Sequence, residues 1–467
     1  MKTVEANLEY LRKLFIMPNS PDKFIEFGQD LLEMIHDFFK EKGGIHSSIT
    51  LPELSEIFNQ TAVPSEPYLI KDVLSEIKAK VIAHSVKVGS PYYIGHMTSA
   101  IPYFMILLEM IIAALNQNQV KIETAKASSF VERELLAWFH RLVFNKSQSY
   151  YQKHIQNPRI TLGNVTSDGT VSNLSAFLVA REKAFPSDGS FPGVRAAGLA
   201  EALKHYGYAR GVILVSARGH YSITKAAHLL GLGEENVISI PVDHNHRIDT
   251  KRLSQRMRSL GRHGRRGKTK IISLVGIAGS TETGNVDDLQ KLSDLAREAG
   301  THFHVDACWG GSALLVDDYR PLLRGIEGAD SVDMGRFTIE GSRPFAGLKP
   351  WAALKIIGRE GYGILFNSAR ENTRSLRDIL AANGNFEVLN SPELFILIYR
   401  FSPEPVRRSL RAWREERERT GYKAREKALD RVIRKVNHVM NGLNIKLHKA
   451  LRLDDTTFVS RTTLEST

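Results

Sequence analysis

The stretch His304-Val305-Asp306-Ala307-Cys308-Trp309-Gly310-Gly311 decides how the fold of this chain is interpreted. It continues a run, residues 300–303, that predicts the start of a buried strand. Ligands of open α/β sheets bind just outside the carboxyl ends of the strands, so Asp306 stands where a cofactor would be met. Gly310 and Gly311 let the backbone turn closely at this point. An isolated Asp at a strand end more often caps the following turn, so the choice between a cap and a cofactor contact depends on the rest of the chain.

Composition narrows the class of protein. With 467 residues, 42% of them hydrophobic, the chain can bury a large core in two or three domains. Its one cysteine, Cys308, excludes an internal disulfide and is compatible with a reducing compartment. No CxxC motif or Cys/His cluster predicts a metal site.

The most apolar run, residues 101–115, is too short to span a bilayer, and the first residues lack a signal-type apolar core. We therefore expect a cytoplasmic protein with no membrane partner.

The formal net charge of +12 raises the question of nucleic-acid binding. Basic residues cluster at 256–270 and at 407–435. The first cluster has no interleaved aromatic residues for base stacking, and the second is mixed with glutamates, as on a solvated helix. Both patterns disfavour a nucleic-acid partner. The net positive charge of the chain is equally compatible with an anionic substrate or a phosphorylated cofactor.

Short β-rich runs alternate with helical stretches between residues 125 and 365. The predicted strands are 159–162, 211–215, 237–242, 270–276 and 302–305, and the predicted helices between them include 170–185, 222–230 and 287–299. This alternation predicts an α/β fold in which helices cover both faces of a mainly parallel sheet. We expect three domains: an N-terminal helical segment over 1–98, a large domain over 99–366 and a small C-terminal α+β domain over 367–467. A long helix around 409–439 is expected to open the last one.

Three further loops follow predicted strands, as Asp306 does. In residues 166–173, Gly169 allows close backbone approach and Thr170 stands at a helix N-terminus, which suits a phosphate, although an ordinary helix cap explains the pattern nearly as well. His220, in residues 218–222, could stack on a flat heteroaromatic ring. The small residues of 278–288 would leave room for a cofactor. Because four such strand ends meet at one edge of a parallel sheet, their convergence predicts a cofactor pocket.

The chain resembles the group II pyridoxal-phosphate-dependent decarboxylases, which include glutamate, aromatic amino acid and cysteine sulfinate decarboxylases. The resemblance rests on several motifs in family order: Ser-x-Gly-Thr at 167–170, Gly-His-Tyr-Ser at 219–222, Gly-Ser-Thr at 279–281, His-x-Asp-Ala-x-Trp-Gly-Gly at 304–311, Gly-Ser-Arg-Pro at 341–344 and Gly-Arg-Glu-Gly-Tyr at 358–362, with 91–97 and 116–118 upstream. It implies the aspartate-aminotransferase-like fold (fold type I), with a mainly parallel seven-stranded sheet. It also implies a pyridoxal 5′-phosphate cofactor and a homodimer.

The resemblance also implies roles for individual residues. Asp306 would keep the ring nitrogen of the cofactor protonated, because a nearby carboxylate favours the charged form. His220 would stack on the ring. The remaining family positions are assigned to the phosphate or cofactor (Gly169, Thr170, Thr281) and to the substrate (Tyr93, His96, Asn116). Among family members, those that decarboxylate L-aspartate to β-alanine are most similar to this chain, and glutamate and cysteine sulfinate are the alternative substrates.

One family feature is missing. Family members carry a lysine, in a His-Lys pair after the strand that follows the aspartate, which binds the cofactor as a Schiff base. Here the strand expected near 328–332 leads directly to residues 333–337, which resemble a segment farther downstream, and the only His-Lys pair is His448-Lys449. Neither Lys349 nor Lys355 suits the role, since both fall in a predicted helix. Two hypotheses remain: a lysine-free protein that binds cofactor or a partner without catalysis, or a segment missing between Val332 and Asp333. The abrupt junction favours the second.

Overall fold

A computed structural model describes residues 2–41, 43–261, 267–333, 340, 342–454 and 457–462. The chain forms two compact units. One comprises Met1–Pro102 together with Ala412–Thr463, and the other comprises Tyr103–Arg411. The division into three domains, with boundaries at 98 and 366, stays a prediction.

Helices dominate the secondary structure. The α-helices are α1 Lys2–Arg12, α2 Phe24–Lys40, α3 Leu51–Ile57, α4 Ile70–Glu76, α5 Tyr103–Leu115, α6 Ile122–Ala125, α7 Ala127–Phe144, α8 Gln148–His154, α9 Gly169–Ala184, α10 Val194–Tyr206, α11 Tyr221–Leu229, α12 Thr250–Gly261, α13 Leu289–Ala299, α14 Leu348–Ala382, α15 Glu404–Arg419 and α16 Lys423–Asp454. Short 3₁₀ turns include Gly310–Leu315. No helix in the described part of the chain is both long and apolar enough to cross a membrane.

A parallel sheet organises the larger unit. Its strands are β1 Arg210–Ser216, β2 Val237–Ile240, β3 Thr269–Ile277, β4 His302–Asp306 and β5 Ser331–Asp333, in the spatial order β2-β1-β3-β4-β5. All four pairings are parallel. A separate antiparallel ribbon joins β6 Phe386–Val388 to β7 Tyr399–Phe401.

Apolar side chains cover both faces of the parallel sheet. Along β1, Val212 and Leu214 belong to one buried cluster, with the residues of α12 and α13, whereas Ile213 and Val215 belong to a second cluster, with those of α9 and α11. Successive side chains of a strand point to opposite faces, so helices must pack on each side. The predicted α/β fold with a doubly covered, mainly parallel sheet is therefore confirmed.

Some local predictions are wrong. Residues 159–162 form no strand. The chain turns at 158–159, because Asn157 accepts hydrogen bonds from the backbone N–H groups of Arg159 (to its side chain) and Ile160 (to its carbonyl). The parallel sheet has five strands in the described residues, where seven were expected. The helix predicted over 409–439 is two helices, α15 and α16, because Gly421 between them adopts a positive φ of 59°.

Candidate active site

Asp306 ends β4 at the carboxyl edge of the sheet, in register with Ile277 on β3 and Asp333 on β5. Its carboxylate accepts hydrogen bonds from Asn173 Nδ2 (3.2 Å) and from the backbone N–H of Cys308 (3.3 Å). The residue is only 7% exposed. Burial raises the pKa of Asp306 above its ordinary value, while the two hydrogen bonds and the nearby His220 oppose that rise. A cationic partner at this carboxylate would restore its charged form.

His220 precedes α11 and is the residue that caps its N-terminus. Its ring Nδ1 accepts a hydrogen bond from the backbone N–H of Ser222 (3.3 Å) and lies 2.8 Å from Ser222 Oγ. The half-buried ring is close enough to influence the charge of Asp306. The structure therefore brings together these two predicted site residues, which stand 86 positions apart in the sequence.

Gly169 begins α9 beside the loop that follows β4. A Cβ atom at this position would lie 2.6 Å from Cys308 Sγ and 3.4 Å from Asp333 Oδ2, so any larger residue would require the Cys308 side chain to move. The backbone N–H of Ser167 donates to Glu340, and that of Val171 to the capping side chain of Asp168. Between them, the N–H groups of Gly169 and Thr170 have no hydrogen-bond partner among the described residues. Free N–H groups at a helix N-terminus are the donors that a phosphate needs.

Thr281 lies in the turn after β3 and is exposed. In the same turn, Gly279 approaches the loop after Asp306, because a Cβ atom on Gly279 would lie 3.2 Å from Trp309 and 3.3 Å from Gly310. The backbone N–H of Ala278 also donates to the carbonyl of Asp306 (2.8 Å). The turn thus borders the Asp306 loop, but the Thr281 side chain makes no contact with Asp306 within the described residues.

Asn116 follows α5 with a left-handed backbone (φ 43°) and an exposed side chain. Two residues beyond it, the chain meets the Gly-Ser-Arg-Pro motif of 341–344: Asn118 Nδ2 donates to Ser342 Oγ (3.1 Å), and the N–H of Gln119 to the carbonyl of Arg343 (3.0 Å). Two motifs quoted separately from the sequence are therefore neighbours in space. Asn116 makes no side-chain contact with Asp306 in the residues that the structure describes.

Tyr93 and His96, the other two predicted substrate residues, belong to the unit built from the two ends of the chain. The Tyr93 ring stacks on Phe458 (4.6 Å between centroids), and its hydroxyl lies 3.1 Å from Thr98 Oγ1. His96 is exposed and its Nδ1 also meets Thr98 Oγ1, at 2.9 Å. Pairing with residues 457–460 therefore fixes the loop of 92–97 within its own unit.

Polar residues that lie in the quoted motifs, but to which the sequence analysis assigned no role, lie near Asp306. Asn173, Ser222 and His304 are each no more than 2% exposed, and hydrogen bonds connect all three. Asn173 stands one helical turn after Gly169, on the face of α9 that packs against the sheet. That spacing was the one available signal. Partial desolvation, with Asp333, Asp306 and Asp168 nearby, raises the pKa of the Cys308 thiol to about 12, which disfavours its reactive thiolate form.

A strand-end carboxylate, a histidine ring beside it and free N–H groups at a crowded glycine form a donor and acceptor set that fits pyridoxal 5′-phosphate. Residues 52–335 match the family model described as the pyridoxal-dependent decarboxylase conserved domain. The chain belongs to the pyridoxal-dependent decarboxylase family. Its cofactor is pyridoxal 5′-phosphate, and it is an amino acid decarboxylase.

Relatives of this decarboxylase act on several amino acids. Aspartate 1-decarboxylase of Aliivibrio fischeri is 33% identical over 505 aligned positions, which cover 99% of this chain and 89% of the relative. L-2,4-diaminobutyrate decarboxylase of Acinetobacter baumannii is 26% identical, covering 68% of this chain and 69% of the relative. The crystal structure of mouse CSAD superimposes with a TM-score of 0.76 at 21% identity, covering 96% of this chain and 93% of that one. That last likeness shows the fold, and the expected fold type I is confirmed.

The decarboxylase family match ends at residue 335, two residues after Asp333. The missing lysine was expected in this region. Residues 334–339 and Gly341 lie outside the described residues, so the structure bears on the junction only up to Asp333, which pairs with Asp306 at the end of β5. The alignment with the Aliivibrio fischeri enzyme spans more positions than the 467 residues present here. That enzyme therefore has internal residues without a counterpart in this chain.

Proposed function

We propose that this decarboxylase converts L-aspartate to β-alanine. In that reaction the bond between Cα and the α-carboxylate breaks, carbon dioxide leaves and Cα takes up a proton. The observation that carries the proposal is the 33% identity to aspartate 1-decarboxylase over nearly the whole length of both chains. Relatives with other named substrates align over a smaller share of this chain.

We propose the following roles for the residues around Asp306. When bound, the cofactor supplies an electron sink for the pair released by the departing carboxylate. The Asp306 carboxylate would accept a hydrogen bond from the protonated ring nitrogen and so keep the proton there. His220 would stack on the cofactor ring. The free N–H groups of Gly169 and Thr170 hold the phosphate, and Thr281 completes the cofactor site.

A positively charged side chain at the same edge favours a substrate with a second carboxylate. Arg218 lies between β1 and His220 and is buried, and its Nε has no hydrogen-bond partner in the described part of the chain. A buried guanidinium N–H without an acceptor is costly unless a ligand supplies one. Arg218 is therefore a proposed partner for the side-chain carboxylate, and Tyr93, His96 and Asn116 remain the proposed substrate contacts.

We infer that the active protein carries the cofactor-binding lysine in a segment that this sequence lacks after β5. Three observations support this: the family match stops at residue 335, the alignment with the aspartate 1-decarboxylase is longer than this chain, and no His-Lys pair follows Asp333 at the expected distance. The intact mass of the purified protein tests the inference. A mass above 52.4 kDa supports it, whereas a mass equal to 52.4 kDa favours the lysine-free, non-catalytic alternative.

A homodimer is the assembly that we propose. Helix α5 is strongly apolar, but of its side chains only that of Ile112 is buried. Tyr103, Leu107, Met110 and Leu115 are all exposed. An exposed apolar face of this size marks an interaction surface, and a second copy of the chain is the partner typical of the family. Sedimentation equilibrium should give twice the mass of the chain, and Leu107→Glu should shift the protein toward monomer.

A substrate panel tests the proposed reaction. The purified protein with added pyridoxal 5′-phosphate is incubated with L-aspartate, L-glutamate, L-cysteine sulfinate and L-2,4-diaminobutyrate, and the amine products are identified by mass spectrometry. We expect β-alanine from aspartate at the highest kcat/KM. Arg218→Gln should lower kcat/KM for aspartate, while Arg218→Lys should retain part of it. A preference for glutamate or cysteine sulfinate would replace the substrate assignment, and a preference for diaminobutyrate would exclude an anion-binding role for Arg218.

A further inference from the structure

Five polar residues, all buried except the half-buried Ser331, form a continuous series of hydrogen bonds behind the candidate site, here called the buried relay: His302, Ser331, His304, Asn173 and Ser222. Ser331 Oγ lies 2.8 Å from His302 Nε2 and 2.9 Å from His304 Nδ1. His304 Nε2 lies 2.7 Å from Asn173 Oδ1. Asn173 Nδ2 then contacts Ser222 Oγ (3.0 Å) and Asp306 Oδ2 (3.2 Å). The relay therefore runs along β4 from its amino end to its carboxyl end.

One backbone group fixes the direction of the hydrogen bonds around Asn173. The Ser222 N–H can only donate, so His220 Nδ1 is an acceptor and the Ser222 hydroxyl must also donate to it. Ser222 Oγ is then free to accept from the Asn173 amide, which places Nδ2 toward Ser222 and Asp306 and Oδ1 toward His304. An ionised Asp306, which only accepts, requires the same orientation of the amide.

The remaining directions follow. Since Asn173 Oδ1 accepts, His304 must carry its proton on Nε2. The buried His304 ring is neutral, because burial, with the neighbouring His302, lowers its pKa to about 3, so its Nδ1 is unprotonated and accepts from the Ser331 hydroxyl. Ser331 Oγ in turn accepts from Nε2–H of His302, whose pKa burial lowers to about 4. Each donor meets an acceptor from His302 to Asp306.

We propose that Asn173 is a positioning residue: one amide N–H orients the Asp306 carboxylate, the other orients the Ser222 hydroxyl that faces His220, and His304 holds the amide in place. Both groups that would contact the cofactor ring thus depend on one buried side chain. This inference rests on the proposed role of Asp306 at the ring nitrogen. Outer groups that orient a ligand-binding side chain commonly change affinity by 10-fold to 100-fold when they are removed.

Two variants separate an orienting role from a packing role. Asn173→Leu keeps the approximate volume but removes both amide N–H groups and the acceptor for His304. Asn173→Asp keeps the acceptor for His304 but directs a second carboxylate at Asp306. Ser175→Ala is the matched control, because Ser175 lies on the same helix and its hydroxyl bonds only the Val171 carbonyl in the described residues. Proteins labelled with ¹⁵N-histidine are compared by NMR, with His302→Gln and His304→Gln identifying the signals.

In the wild type we expect His302 and His304 to be neutral rings protonated on Nε2. In Asn173→Leu, His304 should lose its preference for the tautomer protonated on Nε2. Through Ser331, the tautomer of His302 should change as well, although Asn173 does not contact His302. Pyridoxal 5′-phosphate binding, measured by fluorescence titration, should weaken at least about 10-fold in both Asn173 variants and stay unchanged in the control. A wild-type His304 protonated on Nδ1, unchanged tautomers in Asn173→Leu, or unchanged cofactor affinity would each overturn the proposal. If the wild type binds cofactor but decarboxylates none of the amino acids tested, the proposed reaction fails while the relay stands.

Discussion

Replacing His304 with glutamine should remove a large part of the acid sensitivity of the fold. His304 is fully buried on β4, between Ser331 and Asn173. Burial lowers the pKa of His304 from 6.5 to about 3, so the folded protein keeps this ring neutral where the unfolded chain protonates it. A glutamine amide can still donate to Asn173 and accept from Ser331, but it does not titrate.

The sign and size of the effect follow from the two pKa values. The folded-state pKa lies below the unfolded-state value, so the stabilising contribution is fully present above pH 6.5 and is lost as the pH falls toward 3. The difference between the two pKa values corresponds to about 5 kcal/mol in the free energy of unfolding, and about 2 kcal/mol of this stability is lost between pH 7 and pH 5. The free energy of unfolding of the wild type should therefore fall by about 2 kcal/mol more than that of His304→Gln over this interval.

Urea denaturation at pH 7 and pH 5, followed by tryptophan fluorescence, measures this difference. The exposed His228, changed to glutamine, is the matched control for the loss of an imidazole group from the surface. Equal pH dependence in wild type and His304→Gln would refute the reasoning. So would an NMR titration in which the wild-type His304 ring protonates near pH 6.5.

Three other perturbations give distinct outcomes. Gly169→Ala should weaken pyridoxal 5′-phosphate binding in a fluorescence titration, because its Cβ would lie 2.6 Å from Cys308 Sγ, and adding Cys308→Ala should restore most of the affinity. Arg343→Met should lower the free energy of unfolding by about 3–5 kcal/mol, since it leaves the buried Glu132 unpaired, and a Glu132→Leu/Arg343→Met double variant should recover much of the loss in the same denaturation assay. Burial raises the pKa of Asp287 from 3.8 to about 6, so the contribution of this residue to the free energy of unfolding is fully present below pH 3.8. About 3 kcal/mol of stability is lost as the pH rises through 6. Denaturation curves of Asp287→Asn should lack this loss.

The sequence predicts the edge of the sheet where the candidate site lies. Asp306 ends β4, His220 lies between β1 and α11, and Gly169 begins α9, although the strand predicted before it does not form; parallel strands present all their carboxyl ends at one edge. Local pattern and topology together therefore bring these three residues near one another. Thr281 followed the same rule, yet its side chain is exposed, because the rule places a loop at the edge without fixing which way each side chain points.

The relay was not predictable in this way. Asn173 reads as an ordinary helix residue and His304 as an ordinary strand residue, and their hydrogen bond joins positions 131 residues apart. Which face of α9 meets β4 depends on packing of both elements, which no short sequence window contains. The strand predicted over 159–162 is wrong for the opposite reason. Purely local hydrogen bonds, from the N–H groups of Arg159 and Ile160 to the side chain and the carbonyl of Asn157, override the strand propensity of these residues.

Product analysis with L-aspartate tests the central claim most directly. The protein with pyridoxal 5′-phosphate is incubated with aspartate labelled with ¹³C at the α-carboxylate, and labelled carbon dioxide and β-alanine are measured together by mass spectrometry. Aspartate 1-decarboxylation predicts labelled carbon dioxide and β-alanine in equal amounts, and Asp306→Ala should abolish both. Cofactor binding without either product from aspartate would contradict the proposed function.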